Sequence, residues 1–372
     1  MDFGLIFELE TREPRSRRRD YDVLWNAVAQ AVAAEQSGYS HVWAVEHHFV
    51  EQFSHCSAPE ILLAAIAQRT ETIRIGHGVV QLIPEFNHPV RVAERAAALD
   101  ILSNGRLELG TGRASNPYEI LGWGVEGNTR EMWLESLRLI CDIWKAEGEP
   151  VDFEGDWVTF RDRSVWPLPM QQPHPPLWMA ATSPETYTLA GRLGLGVMAF
   201  ALAIDSEKMG RRIAEYREAI STADPIGAVK NERVGVMMMT YCAETSEEAQ
   251  RIARAEFNWY LDEVMEHFSG WKGAGKLPAG YEWYQKAANN VEKLQATNFD
   301  YLLENNMLLV GTPAEIIENI KRFEAIGVEQ ILTLTALGGV AHEDVMRSIE
   351  LFGREVVPHF PPSPVEQPVA AA

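Results

Sequence analysis

IRIGHGVVQLIPEFNHPVRVAERAAALDILSNGRLELGT, residues 73–111, is the stretch on which the fold turns. Ile73–Val80 is a short run rich in β-branched residues and predicts a strand. Val90–Ser103 predicts a helix, and Asn104-Gly105 gives it a C-terminal stop, since both residues tolerate the left-handed backbone that ends helices. Arg106–Thr111 predicts the next strand. A strand, a helix and a strand joined this closely form one unit of a parallel sheet.

The same alternation runs outward in both directions. Before residue 73, strands are expected at Phe3–Phe7 and His41–Val45. Helices follow at Tyr21–Ser37, stopped by Gly38, and at Ala58–Arg69, where Pro59 is tolerated in the first turn. After residue 111 comes a helix at Arg130–Lys145. Further strands are expected at Leu177–Ala181, Leu195–Phe200, Val234–Tyr241 and Gln330–Thr335. The helices between and after them are Ser183–Leu193, Asp205–Ser221 capped by Asp205, Ser246–Glu266, Thr312–Ile326 and roughly His342–Val357. Eight strands, each followed by a helix and with no linker, predict an α/β chain folded as a (β/α)8 TIM barrel. An open doubly wound sheet is the alternative, because local patterns do not show closure. Regularity lapses twice, at Pro150–Pro176, read as an inserted hairpin and loop, and at His267–Asn306. The expectation is one barrel domain over residues 1–360, with insertions near 150–176 and 267–306 and a frayed tail at 361–372.

Composition narrows the function. The 372 residues are 46% hydrophobic and 23% charged, with a formal net charge of -20. Such an acidic surface repels phosphate backbones and anionic lipid, so neither nucleic acid nor membrane is expected as a partner. Arg15, Arg17, Arg18 and Arg19 are the exception, read either as a solvated loop or as a phosphate-steering patch. Cys56, Cys141 and Cys242 are scattered and odd in number. A disulfide framework or zinc site is not expected, which fits a reducing cytoplasm. The N-terminus lacks the pattern of a signal peptide, and no metal site is expected.

In such barrels chemistry collects at the C-terminal ends of the strands. That rule picks out Glu8 and Glu10, then Glu46, His47 and His48, then Gln81, Gly112 and Arg113. Thr182, Ser183, Phe200, Tyr241 and Ala336–Gly339 complete the set. No His-x-His pair on the first strand suggests a metal-dependent hydrolase, and no close carboxylate pair on separate strands suggests a glycosidase. Gly110–Ser115 lacks the third glycine of a dinucleotide fingerprint, and Pro117 and Gly122 argue against a helix directly after it. Ala180–Thr186 passes from strand to helix through hydroxyl residues, a ready anion cradle. Arg113 and Arg130 can bring planar charged forks to the same anion. Ser183 reads equally as a plain helix cap, and Arg130 equally as a surface ion pair.

Four segments then resemble one family in order. Val42–Phe49, with Glu46-His47-His48, looks like the second-strand motif of the bacterial luciferase-like flavin-dependent monooxygenases. Asn87-His88-Pro89-Val90-Arg91 is similar to that family's AHPVR segment, and Leu99–Arg106 to its LLDxxSxGR stretch. Val310-Gly311-Thr312-Pro313 resembles its VGTP. The resemblance covers nearly the whole chain. It implies the barrel fold, reduced FMN supplied by a separate NAD(P)H:flavin reductase, O2, and a C4a-hydroperoxyflavin that oxygenates an organic substrate. It implies a homodimer paired through the early helices. It places Arg113, Arg130, Thr182, Ser183 and Thr186 at the flavin phosphate, Ala181 among the other cofactor-binding residues, and His47, the catalytic residue, beside the flavin ring. Gly78-Val79 takes the place of a non-proline cis peptide against the ring. Gly112 stands where luciferase has a reactive cysteine and Thr182 where it has a glutamate, so neither light emission nor an aldehyde substrate is implied. An F420-dependent hydride-transfer enzyme and a non-catalytic flavin binder share the same logic and stay open. Trp271, Tyr281, Trp283 and Tyr284 can form a lid over the site or simply pack a loop. His48 is read as a packing residue, and Trp43 and Phe49 as core.

Overall fold

A computed structural model describes residues 1–12, 14–202, 204–273, 281–289 and 298–361. Its centre is a sheet of eight parallel strands that closes on itself. In chain order the elements begin with β1 (Asp2–Phe7), α1 (Arg17–Gln36), β2 (His41–Ala44) and α2 (Pro59–Ala67). They continue with β3 (Arg74–His77), its short continuation β4 (Val80–Gln81), α3 (Pro89–Leu102) and β5 (Leu107–Gly112). A short α4 (Pro117–Gly122) precedes α5 (Thr129–Lys145) and the β6–β7 hairpin (Val151–Glu154, Thr159–Arg163). Then come β8 (Leu177–Ala181), α6 (Pro184–Arg192), β9 (Gly196–Phe200), α7 (Ser206–Ser221), β10 (Val234–Cys242) and α8 (Ser246–Gly273). After short helices at Glu282–Asn289 and Phe299–Glu304, β11 (Leu309–Gly311) leads into helix Pro313–Ala325, β12 (Gln330–Leu334) and helix His342–Glu355. Closure is direct: β9 pairs with β10, β10 with β12, and β12 with β1, Phe3 lying opposite Ile331.

The barrel interior is filled rather than hollow. Trp43 and Trp178 meet edge to face at 5.5 Å inside it. Strand β3 passes so close that a Cβ on Gly76 would lie 2.2 Å from the Trp43 ring. A Cβ on Gly110 of β5 would sit 1.9 Å from the backbone oxygen of His77. Backbone cannot yield as a side chain can, so Gly110→Ala is expected to destabilise the fold by ~3 kcal/mol or more, above the usual overpacking cost. Urea unfolding checks this, with Gly124→Ala, whose Cβ meets nothing within 4 Å but whose φ is 65°, as a milder comparison. The N-terminal end of the barrel is shut by buried charges. Trp178 donates to Glu108 at 2.6 Å, Arg74 pairs with the same carboxylate, and Arg233 pairs with Asp2.

Several expectations are corrected. The strand at Ile73–Val80 is two pieces, with Gly78 and Val79 between them. The cis bonds among the described residues are Trp166–Pro167 and Gln172–Pro173, so the bond expected at Gly78-Val79 is not one of them. Pro117 opens a helix instead of preventing one, because a proline at the first helical position forfeits no hydrogen bond. Phe49 is not core: at φ 63° its ring is 60% exposed and rests 5.6 Å from Trp123. The stretch 267–306 is partly helical where described, and Tyr241 pairs with β11, its hydroxyl reaching the Asp344 carbonyl away from the barrel mouth. The arginine run is not a vacant anion patch, since Arg15 pairs with Glu51, Arg18 with Asp22 and Arg19 with Asp20 and Glu51. Residues 362–372 and the side chain of Trp283 lie outside the described residues.

Candidate active site

At the C-terminal end of the barrel a cleft enclosing about 1230 Å³, its open mouth included, is lined by His47, Gly78, Val79, Gly112, Arg113, Arg130, Ala181, Thr182, Ser183 and Thr186. The residues expected at the flavin therefore meet in one place, whereas Glu10, His48, Tyr241 and Ala336–Gly339 of the strand-end set do not line it. Glu8, Glu46, Gln81 and Phe200 from the strand-end set line it as well.

One end of the cleft suits an anion. Helix α6 begins at Pro184 with Ser183 in the cap position, yet the Ser183 hydroxyl makes no cap bond. It meets the Thr186 hydroxyl at 2.8 Å, which leaves the first amides of the helix without that partner. Arg113 donates to Thr129 Oγ1 at 2.9 Å and lies 5.0 Å over the Tyr281 ring. Arg130 lies in the first turn of the next helix, and its charge helps to lower the Glu185 carboxyl of α6. A Cβ on Gly112 would come within 3.1 Å of the Val79 side chain and narrow the cleft.

The other end is organised around an imidazole. His47 Nδ1 lies 3.1 Å from Glu119 Oε1. The same oxygen accepts from the His48 amide at 2.9 Å and from Gln81 Nε2 at 3.0 Å. Glu119 is fully buried. Burial pushes its carboxyl up, but the hydrogen bond and charge of His47, with the His48 and Gln81 donors, outweigh that and hold it below the usual carboxylate range. Burial likewise pushes His47 down, and its bond to Glu119 with the charges of Glu119, Glu8 and Glu46 reverses the effect, so His47 holds its proton above the ordinary histidine range. With Nδ1 engaged by Glu119, Nε2 is the nitrogen left to the cleft.

Glu119 is the residue sequence reading missed. It stands at the third position of α4, its amide bound by the Asn116 side chain at 3.0 Å. Asn116-Pro117 followed by an acid two residues on is the signature of a capped helix start, and that signal was present. A second layer steadies this end: Glu46 accepts from Asn87 Nδ2 at 2.8 Å and from the Gln81 amide at 2.7 Å, and contacts His48 Nε2 at 3.1 Å. His48 is thus a hydrogen-bonded packing residue, as expected.

Aromatic side chains cover the anion end. Trp271 stacks on Tyr281 at 4.6 Å and donates to the Ser115 carbonyl at 3.2 Å. Tyr284 lies 5.4 Å from Trp271 and places its hydroxyl 3.3 Å from Thr182 Oγ1. Of these three only Tyr284 lines the cleft, while Trp271 and Tyr281 are packed in a buried apolar cluster beside it. Among the described residues no group of His, Cys, Asp and Glu could hold a metal ion, and no helix is long and apolar enough to cross a membrane.

Known proteins resemble this chain in sequence and in fold. The flavin-dependent trigonelline monooxygenase, oxygenase component, of Acinetobacter baylyi is 27% identical over 99% of this chain and 98% of its own. The F420-dependent hydroxymycolic acid dehydrogenase of Mycobacterium tuberculosis is 35% identical over 49% of this chain and 51% of its own. The oxygenating constituent of 3,6-diketocamphane monooxygenase from Pseudomonas putida, a type II Baeyer-Villiger enzyme solved with FMN, shares the fold with a TM-score of 0.78, at 23% identity over 98% of this chain and 99% of that one. The family model described as luciferase-like monooxygenase matches residues 1–330. The chain belongs to the luciferase-like monooxygenase family.

Proposed function

We propose that the protein is the oxygenase of a two-component monooxygenase, taking reduced FMN from a separate NAD(P)H:flavin reductase and using O2 to oxygenate an apolar organic substrate. The observation that carries this reading is the polarity of the cleft: an anion cradle at one end and a carboxylate-held imidazole at the other. The residues present fit FMN. The start of α6 already holds an anionic group: the Glu185 carboxyl is kept below its usual range first by its own amide, then by the Ser183 hydroxyl and the charges of Arg130 and Arg212. Gly112 leaves room that a side chain would fill.

Bound FMN would supply the oxygen chemistry; the rest falls to the chain. Arg113, Arg130, Thr182, Ser183 and Thr186 would hold the phosphate. Gly78, Val79, Gly112 and Ala181 would pass close to the cofactor. His47 would hold or release a proton at Nε2 while Glu119 fixes its orientation. Trp271, Tyr281 and Tyr284, with the apolar barrel side chains Met179 and Met198, would keep water from the reacting atoms.

A homodimer belongs to this reading. Tyr21, Leu24 and Trp25 on α1, Ile61 on α2 and Leu102 at the end of α3 are large apolar side chains left exposed on the early helices. A cytoplasmic location fits the three buried free cysteines. The second reading, hydride transfer with F420, is favoured by the dehydrogenase relative. Titration with reduced FMN and with reduced F420, followed by stopped-flow mixing with O2, separates them. Tight binding of reduced FMN and a long-lived oxygenated species are expected. Preference for F420 with no reaction toward O2 would replace the proposal.

A further inference from the structure

Strand β8, which feeds α6, pairs with β5 on one side and with β9 on the other. Arg113 and Arg130 reach the anion end from the β5 side. The β9 side leads into α7, and its packing brings a third guanidinium. A Cβ on Gly191 of α6 would lie 2.7 Å from Ala219 Cβ and 2.8 Å from the Tyr216 carbonyl oxygen of α7. Only a residue without a side chain lets two helices come so close. On α7, Arg212, Tyr216, Ala219 and Ile220 follow the i, i+4, i+7, i+8 spacing and share one face. On α6, Tyr187 and Gly191 stand four residues apart and share the face that meets it. Each helix follows a strand of the parallel barrel, so both start at the end where the cleft opens. Arg212, in the second turn of α7, is thereby delivered to the start of α6. Its guanidinium lies 5.6 Å over the ring of the fully buried Tyr187, and its Nη1 donates to the Thr182 carbonyl oxygen at 3.2 Å. Arg212 is half-buried and stands behind the cleft lining, whereas Thr182 and Ser183 belong to it.

We infer that Arg212 is a positioning residue of the phosphate site, acting from outside the cleft. Its hold on the Thr182 carbonyl fixes the turn that carries the Thr182 and Ser183 hydroxyls and aims the first amides of α6. Its positive charge backs those amides from the side opposite Arg113 and Arg130. This rests on the flavin reading above and deepens it: the start of α6 is flanked by cations from both neighbouring helices, an arrangement suited to a phosphate monoester. The flat contact with Tyr187 is what pins the guanidinium while it donates. Lysine keeps the charge and a donor at that position but not the planar contact. Methionine keeps the length and loses both.

The test titrates FMN, riboflavin and inorganic phosphate calorimetrically into the full chain, as wild type, Arg212→Lys and Arg212→Met. FMN is expected to bind ~3- to 10-fold more weakly to Arg212→Met, the range of one ordinary hydrogen bond. Inorganic phosphate should weaken by a similar factor. Riboflavin should stay within about twofold, since it lacks the group that the turn holds, and its retention shows that the variant is folded. Arg212→Lys should fall between the two. Phosphorus NMR of bound FMN should shift in Arg212→Met, because the groups around the phosphate are no longer aimed as before. Unchanged FMN affinity in Arg212→Met, or a lysine variant no better than methionine, overturns the inference. Equal loss of FMN and riboflavin overturns it as well and leaves Arg212 as a support for the α6–α7 contact. Binding of phosphate with the Arg212 dependence intact, but of neither flavin, would overturn the flavin reading alone. A wild type that binds none of the three overturns both.

Discussion

Glu119→Gln is expected to lower the pH at which His47 gives up its proton and to cut turnover at least tenfold with little change in flavin affinity. The carboxylate of Glu119 is the leading favourable influence on His47, against a burial that disfavours the imidazolium. Gln keeps the shape and an acceptor but removes the charge, so burial then prevails. His47→Ala should cost more, about 10²- to 10⁴-fold, the usual contribution of a positioned acid or base. The pH dependence follows from the two directions. His47 is raised in the folded protein, so its share of stability is full below the unfolded histidine value and is lost as pH rises through the folded one. Glu119 is lowered, so its share is full above the unfolded carboxylate value and is lost as pH falls through the folded one. The pair therefore stabilises the fold most between the ordinary carboxylate and histidine values, roughly pH 4.5 to 6.5. Proton NMR of the His47 ring against pH, in wild type and Glu119→Gln, checks the direction. An unchanged titration would show that Glu119 does not govern the imidazole.

Arg113→Ala is expected to weaken FMN by roughly 10- to 100-fold and riboflavin, which lacks the phosphate, hardly at all. Arg113 is half-buried at the anion end beside Thr129 and Tyr281, so its charge is less screened than that of a surface arginine. The double variant with Arg130→Ala should lose less than the sum if both forks grip one phosphate. Fluorescence titration with each flavin measures both effects. Equal loss of FMN and riboflavin would mean that Arg113 supports the aromatic cover rather than the phosphate.

Much of this was legible in the sequence because barrel geometry converts order into position. The eight strands could be read from alternation alone, and the rule that loops after strands carry chemistry then brought His47, Arg113, Thr182 and Ser183 together before any coordinates. Glu119 escaped because Pro117 and Gly122 look like breakers, although Pro117 only marks where α4 starts. Phe49 misled because hydrophobicity says nothing about direction, and a positive φ turned its ring outward. Glu8 and Glu10 were both at a strand end, but nothing local shows which groups meet each acid. Their partners are Tyr260 for Glu8 and Gly338 for Glu10, more than 240 residues away along the chain.

The shut base of the barrel has a consequence for traffic. With Asp2, Glu108, Arg74 and Arg233 closing the far side, the described residues leave the cleft its open mouth as the doorway. Guests that share one doorway must queue, and whichever settles deepest arrives first and departs last. Adding the organic partner before or after the cofactor should then give different lag times, a kinetic trace of a plugged tube.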